Sequence, residues 1–234
     1  MRTIRQQARN AGLWYLAMGL TAPVALMYVP GRIIVRGDAV ATAANIRTSE
    51  WLLRLGIGTE LFHQAIAVFL VFSLYRLFKN VDVHQARLLV ALGALVSIPI
   101  MFMNIVNQLA AITLVQGAPF LAPIDTAQRE ALAYLFLTMH SRGIDAASIF
   151  WGLWLFPFGV LVIKSGFIPR VLGMLLIVAG IGYLGAAFAN LVIPAWKPVV
   201  GPVAMILELC ELPIMFWLLI WGARGERAKE PAPL

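Results

Sequence analysis

The chain has 234 residues, of which 61% are hydrophobic and only 12% charged, well below the roughly 25% charged of an ordinary soluble domain. Its formal net charge of +7 comes from lysines and arginines that flank apolar runs, so the basic balance is a topology signal and not a nucleic-acid surface. A single cysteine, Cys210, excludes an intrachain disulfide.

A helix needs about 20 apolar residues to cross a hydrocarbon core about 30 Å thick. Six runs satisfy this, at about 11–29, 54–78, 88–114, 144–164, 169–193 and 199–222. None alternates polar and apolar residues as a lipid-facing barrel strand must. The expected fold class is therefore an all-α integral membrane protein, a six-transmembrane-helix bundle forming a single transmembrane domain with short extracytoplasmic helices.

In chain order, Arg2, Arg5 and Arg9 precede the first run in the manner of a secretory signal, but the run is too long for one and reads as a retained span. Pro30-Gly31 is expected to end it. Asp38 is a candidate N-cap for an Ala-containing outer helix at about 40–53. "KNVDVHQAR" is short enough to make spans two and three antiparallel neighbours. "QGAPFLAPID" breaks the next helix, and "TAQREALAYLFLTMHS" predicts a second outer helix at about 127–141, too short to cross, with Gly143 permitting a bend into span four. Pro23, Pro99, Pro157 and Pro213 lie inside spans and predict kinks. The Gly-rich "GMLLIVAGIGYLGAAFAN" of span five allows close helix approach. The polar tail "GARGERAKEPAPL" reads as a frayed end.

With the N-terminus inside, eleven of the 18 basic residues (Arg2, Arg5, Arg9, Arg76, Lys79, Arg87, Lys164, Arg170, Arg224, Arg227 and Lys229) fall on inner flanks. The other seven (Arg32, Arg36, Arg47, Arg54, Arg129, Arg142 and Lys197) fall on outer ones. The excess places both termini in the cytoplasm. The implied surroundings are the lipid bilayer, with no nucleic acid, and the sequence is compatible with a homo-oligomer.

The strongly polar residues inside spans lie at one depth. Glu60, His63 and Gln64 belong to the outer half of span two, and Asn104, Asn107 and Gln108 to the outer half of span three. His140 and Asp145 flank span four, while Glu208 and Glu211 lie in the outer half to middle of span six. At about 100° per residue the sets of spans two, three and six each share a helix face. Polar stripes at one level that avoid lipid are expected to face each other, giving an outward-facing intramembrane pocket formed mainly by spans two, three and six. An acidic residue near the centre of a membrane helix costs about 2.5 to 3.5 kcal/mol on insertion scales, so a proton, a cation or Arg142 must compensate.

This layer supports a leading expectation: a small ligand, cation or proton is bound or translocated. Glu60 and Glu211 would carry the charge, His63 would be a partner able to change charge near neutral pH, and Asn104 and Asn107 would orient the ligand, with Gln108, His140 and Glu208 as further binding candidates. Alternatively Glu60, His63, His140 and Glu211 hold a divalent metal that activates water in an intramembrane hydrolase of a lipid or amide. A third reading is a scaffold or partner subunit whose polar layer fixes helix register. No catalytic residue is assigned.

Taken together, "GDAVATAANIRTSEWLLRLGIGTELFHQ", "LYRLFKNVD", "FLTMHSRGI", "IFWGLWLFPFGVLVIKSGFIPRVLGMLLIVAGIGYL" and "ELPIMFWLLIWGA" resemble the bacterial integral-membrane family known as domain of unknown function 4386. The resemblance implies a multi-pass membrane protein and supplies no catalytic assignment. It also implies that Arg54, Glu60, His140, Ser141 and Glu211 occupy recurrent motif positions. Glu60 stands where many members have Asp, and Trp154 where some have His, which counts against a metal site that needs that imidazole.

Overall fold

A computed structural model describes residues 3–223. Arg2, Arg224, Arg227 and Lys229 of the charge count, and the tail beyond 223, lie outside the described residues. The described residues form no strand and six helices long and apolar enough to cross a membrane. These are α1 (Ile4–Ile33), α3 (Glu50–Phe78), α4 (Val83–Gln116), α5 (Thr126–Ser165), α6 (Arg170–Leu191) and α7 (Pro194–Ile220). A short α2 (Ala39–Thr48) caps the end opposite the termini. Sequence neighbours pack side by side, α1 lies against α3, and α7 returns to α1, closing a ring of six.

Two expectations about helix ends are corrected. Helix α1 does not stop at Pro30-Gly31 but runs to Ile33, because a π turn over Val24–Tyr28 absorbs the hydrogen bond that Pro30 cannot donate. The outer helix at 127–141 and span four are one helix: α5 runs from Thr126 to Ser165, about 60 Å at 1.5 Å per residue. Its regular hydrogen bonding slips only at Trp154. Gly143 is not a bend; it sits inside α5 with Asn104 of α4 filling the space of its missing Cβ.

Prolines govern the other irregularities. The carbonyl four residues before each proline is Leu95 for Pro99, Leu153 for Pro157 and Leu209 for Pro213. These fall in a π turn (Ala91–Val96), at the slip beside Trp154, and in a 3₁₀ turn (Leu209–Glu211).

Asp38 caps α2 as expected, accepting from the Ala41 N–H at 2.8 Å. At the termini end Asp82 accepts from the amides of His84 and Gln85, both at 3.1 Å, and pairs with Lys164 at 2.7 Å. The Lys164 ammonium, then these amides, hold the Asp82 carboxyl below the usual carboxylate range. A folded-state pKa below the unfolded one contributes stability that is present at neutral pH and lost as pH falls through the lowered value. Asp82→Asn is therefore expected to lower the thermal midpoint at neutral pH, with the gap to wild type closing on acidification; melting both forms across that range checks it.

Apolar packing divides into two cores. One fills the termini end with Leu70, Leu74, Phe78, Phe158, Leu161, Leu176 and Leu218. The other lies under α2 at the far end, with Ile33, Ile46, Leu53, Ile112 and Leu137. Most of the buried polar side chains occupy the level between them, including Glu60, Gln64, Ser97, Asn104, Gln108 and His140.

Candidate functional site

Three helices bring the first group together. Glu60 of α3 is 3% exposed. Gln108 of α4 donates from Nε2 to Glu60 Oε1 at 2.7 Å and to His140 Nε2 of α5 at 2.8 Å. His140 Nε2 and Glu60 Oε1 are themselves 3.1 Å apart. Asn104, one turn before Gln108, locks the imidazole: its Nδ2 donates to the His140 carbonyl at 2.8 Å, and His140 Nδ1 donates to the Asn104 carbonyl at 3.2 Å. Asn107 donates to Asn104 Oδ1 at 3.0 Å from the edge of the group.

This geometry fixes where hydrogens go. A carbonyl only accepts, so His140 Nδ1 carries a hydrogen, and Nε2 is free to accept from Gln108. Glu60 Oε1 accepts from the same amide. The remaining edge of the triangle joins two acceptors unless a proton rides on one of them, so the Glu60–His140 pair has a place for one exchangeable proton. The second oxygen, Glu60 Oε2, is buried with no partner among the described residues.

A second group lies toward α1. Thr21 Oγ1 lies 2.9 Å from the Met18 carbonyl, 3.2 Å from that of Ala17 and 2.8 Å from His63 Nδ1, so a hydrogen bond joins Thr21 to His63. Tyr15 donates to Glu211 Oε1, and Tyr183 of α6 reaches the same carboxyl. Between these groups is a cavity of about 120 Å³ lined by His63, Gln64, Ser97, Trp151, Tyr183 and Glu211 among apolar side chains.

The expected polar residues of spans two, three and six are thus divided: His63, Gln64, Ser97 and Glu211 line the cavity, whereas Glu60, Asn104 and Gln108 gather with His140 beside it. Glu60 joins Gln108, but Glu211 faces the cavity and α1. Glu208 is half-buried on the preceding turn of α7, its backbone beside Gly182, and makes no side-chain hydrogen bond among the described residues. The four-residue metal set is also divided. Residues three apart on a helix are turned about 60° from each other, which sends Glu60 toward α4 and α5 and His63 toward Thr21. Among the described residues no group of three or more His, Cys, Asp or Glu side chains is placed to hold a metal ion. His140, which the sequence places at a helix end, is buried at 6% exposure. Tyr15, Thr21, Trp151 and Tyr183 were not singled out as site residues; Tyr15 shares a helix face with Ala22 and Leu26, which is the signal that could have found it.

Access is lateral. An open cleft of about 690 Å³ at the far end lies between α1, α5 and the start of α7. Beneath it a void of about 20 Å³, sharing Pro30, Ile34 and Leu137 with the cleft, touches Glu60, Gln108 and His140. A further void of about 10 Å³ touches Glu60 on one side and His63 and Gln64 on the other, and these last two also line the larger cavity. About 10–15 Å³ is room for one water.

Together these features define a multi-pass α-helical membrane protein whose lipid-embedded body carries a buried carboxylate–amide–imidazole group between two apolar cores. The chain belongs to the family described as domain of unknown function (DUF4386), whose profile matches residues 10–222. No curated protein and no solved structure matches it.

Proposed function

We propose that the protein binds protons from the far side of the membrane and passes them along its central polar level. The observation that carries this reading is Glu60: one oxygen is shared with Gln108 and His140, the other is unpartnered, and the side chain borders two water-sized voids. Voids of about 10 and 20 Å³ admit a water or a proton and reject an organic ligand. Chains of ionisable side chains and waters are how intramembrane proton relays are built. Glu60 and His140 are the first carriers, Gln108 and Asn104 orient them, His63 relays, and Glu211 is the acceptor in the cavity. A small cation entering the cavity would meet the same carboxylate. The excess of basic residues on the termini side supports a cytoplasmic location for both termini in a bacterial inner membrane, so that the cleft faces outward.

Infrared difference spectra of the reconstituted protein between neutral and acidic pH are expected to contain a protonated-carboxyl band that Glu60→Gln removes. Dye-loaded vesicles are expected to record acidification that both Glu60→Gln and Glu211→Gln abolish. A spectrum and a proton flux unchanged by Glu60→Gln would refute the reading. No flux, with Glu60→Gln costing only thermal stability, would make the polar level a register-fixing scaffold.

A further inference from the structure

The far-end cleft has a chemistry of its own. Arg36 follows α1, Arg142 lies on α5, and Lys197 lies in the first turns of α7, so three separate elements deliver cations to one concavity. Against them stands a single lining carboxylate, Asp145, and it is already occupied: Asn190 Nδ2 donates to it at 2.9 Å and Arg142 reaches it at 3.4 Å. Arg142 also donates to the Asn190 carbonyl at 3.0 Å. The side chains of Arg36 and Lys197 have no hydrogen-bond or ion-pair partner among the described residues. The lining charge is three cations less one anion, +2.

The site is also held in shape. Gly37 adopts φ +80, a left-handed conformation that favours glycine, and its N–H donates to Tyr134 Oη of α5 at 2.8 Å. This latch fixes the turn that carries Arg36 over the cleft. Because the Tyr134 oxygen accepts there, its hydroxyl hydrogen is left to donate to a ligand. The start of α7 adds the positive end of a helix dipole beside Lys197. On the other side Met27, Pro30 and Ile34 give the cleft an apolar wall.

We propose that this cleft is a binding site for a phosphate-type oxyanion, held by Arg36, Lys197 and Tyr134, with the apolar wall of α1 receiving any non-polar part of the ligand. The proposal is independent of the proton reading, since none of these groups belongs to the Glu60 triangle. The anion is carried either by a lipid headgroup or by a free phosphate, and the two sources are separable.

The test uses the full chain in nanodiscs. In one arm, discs of mixed phosphatidylcholine and phosphatidylglycerol are read by native mass spectrometry for lipid retained on the protein. In the other, inorganic phosphate is titrated calorimetrically into phosphatidylcholine discs. Selective retention of phosphatidylglycerol identifies a lipid headgroup, and a phosphate isotherm identifies a free anion; either supports the proposal if Arg36→Gln/Lys197→Gln weakens it by about tenfold or more, the loss of two charge-assisted contacts. Arg36→Lys/Lys197→Arg is expected to retain binding, and raised salt to weaken it in the wild type. Both residues are exposed, so the substitutions leave the core untouched. Binding in neither arm, or binding that ignores both the double Gln variant and salt, overturns the proposal.

Discussion

Gly143→Ala is expected to destabilise the protein and to disconnect His140 from its support. Alanine is the better helix former by about 1 kcal/mol, so in an exposed helix the change would stabilise. Here the new Cβ would fall on the side-chain amide of Asn104. That amide is buried and donates to the His140 carbonyl; displacing it leaves a donor and an acceptor unmatched in an apolar surrounding. Overpacking costs about 1–3 kcal/mol and a lost buried hydrogen bond about 1–3 kcal/mol, so a net loss of about 1–5 kcal/mol remains after the helical gain. Thermal unfolding in detergent measures the sign directly. A variant as stable as wild type would show that Asn104 has another place to go. The His140 ring resonances report the same event locally, since its Nδ1 loses a fixed acceptor when α4 shifts.

The double change Gly159→Ala/Gly173→Ala is expected to separate α5 from α6. A Cβ on either glycine would stand 2.6 Å from the carbonyl oxygen of the other. Seven residues along, Gly152 and Gly180 repeat the contact at 2.9 Å. The obstacles are backbone atoms, which cannot swing aside as the end of a long side chain can, so the helices must move as bodies. Association in lipid relies on close packing more than on water exclusion, and that packing is what the added methyls remove. Two overpacked sites at about 1–3 kcal/mol each predict a large fall in the monodisperse fraction on size-exclusion chromatography. Gly58→Ala, where a Cβ would meet nothing within 4 Å, is the control expected to behave as wild type.

Helix type and number were legible because twenty-residue apolar runs have no other stable form in lipid. Boundaries were less so. Pro30 looks like a terminator, yet a π turn carries α1 past it, and such turns have no residue signature. Thr126 to Met139 is too short to cross by itself, and only its continuity with the helix beyond Gly143 makes it the outer part of α5. The polar residues were visible as breaks in apolar pattern, and Glu60 and Gln108 do meet. Their partner His140 was undervalued because its depth depends on α5 being unbroken. Tyr15 and Thr21 do not stand out in the sequence, since a tyrosine is common near the end of a span and a threonine barely interrupts an apolar run. Which face of a helix turns to which neighbour is set by packing around the ring, and periodicity in one helix does not contain it.

The uneven thickness of insulation has an electrical consequence. Small voids bordered by Glu60, His63 and Gln64 lie between the far-end cleft and the cavity at Glu211, while Phe78, Phe158, Leu161 and Leu218 pack the termini end. A transmembrane voltage is worth about 2.3 kcal/mol per unit charge for each 100 mV, and on the proton reading proposed above it would fall mainly across the packed half, so that a charge moving from the cleft to Glu211 would feel little of it.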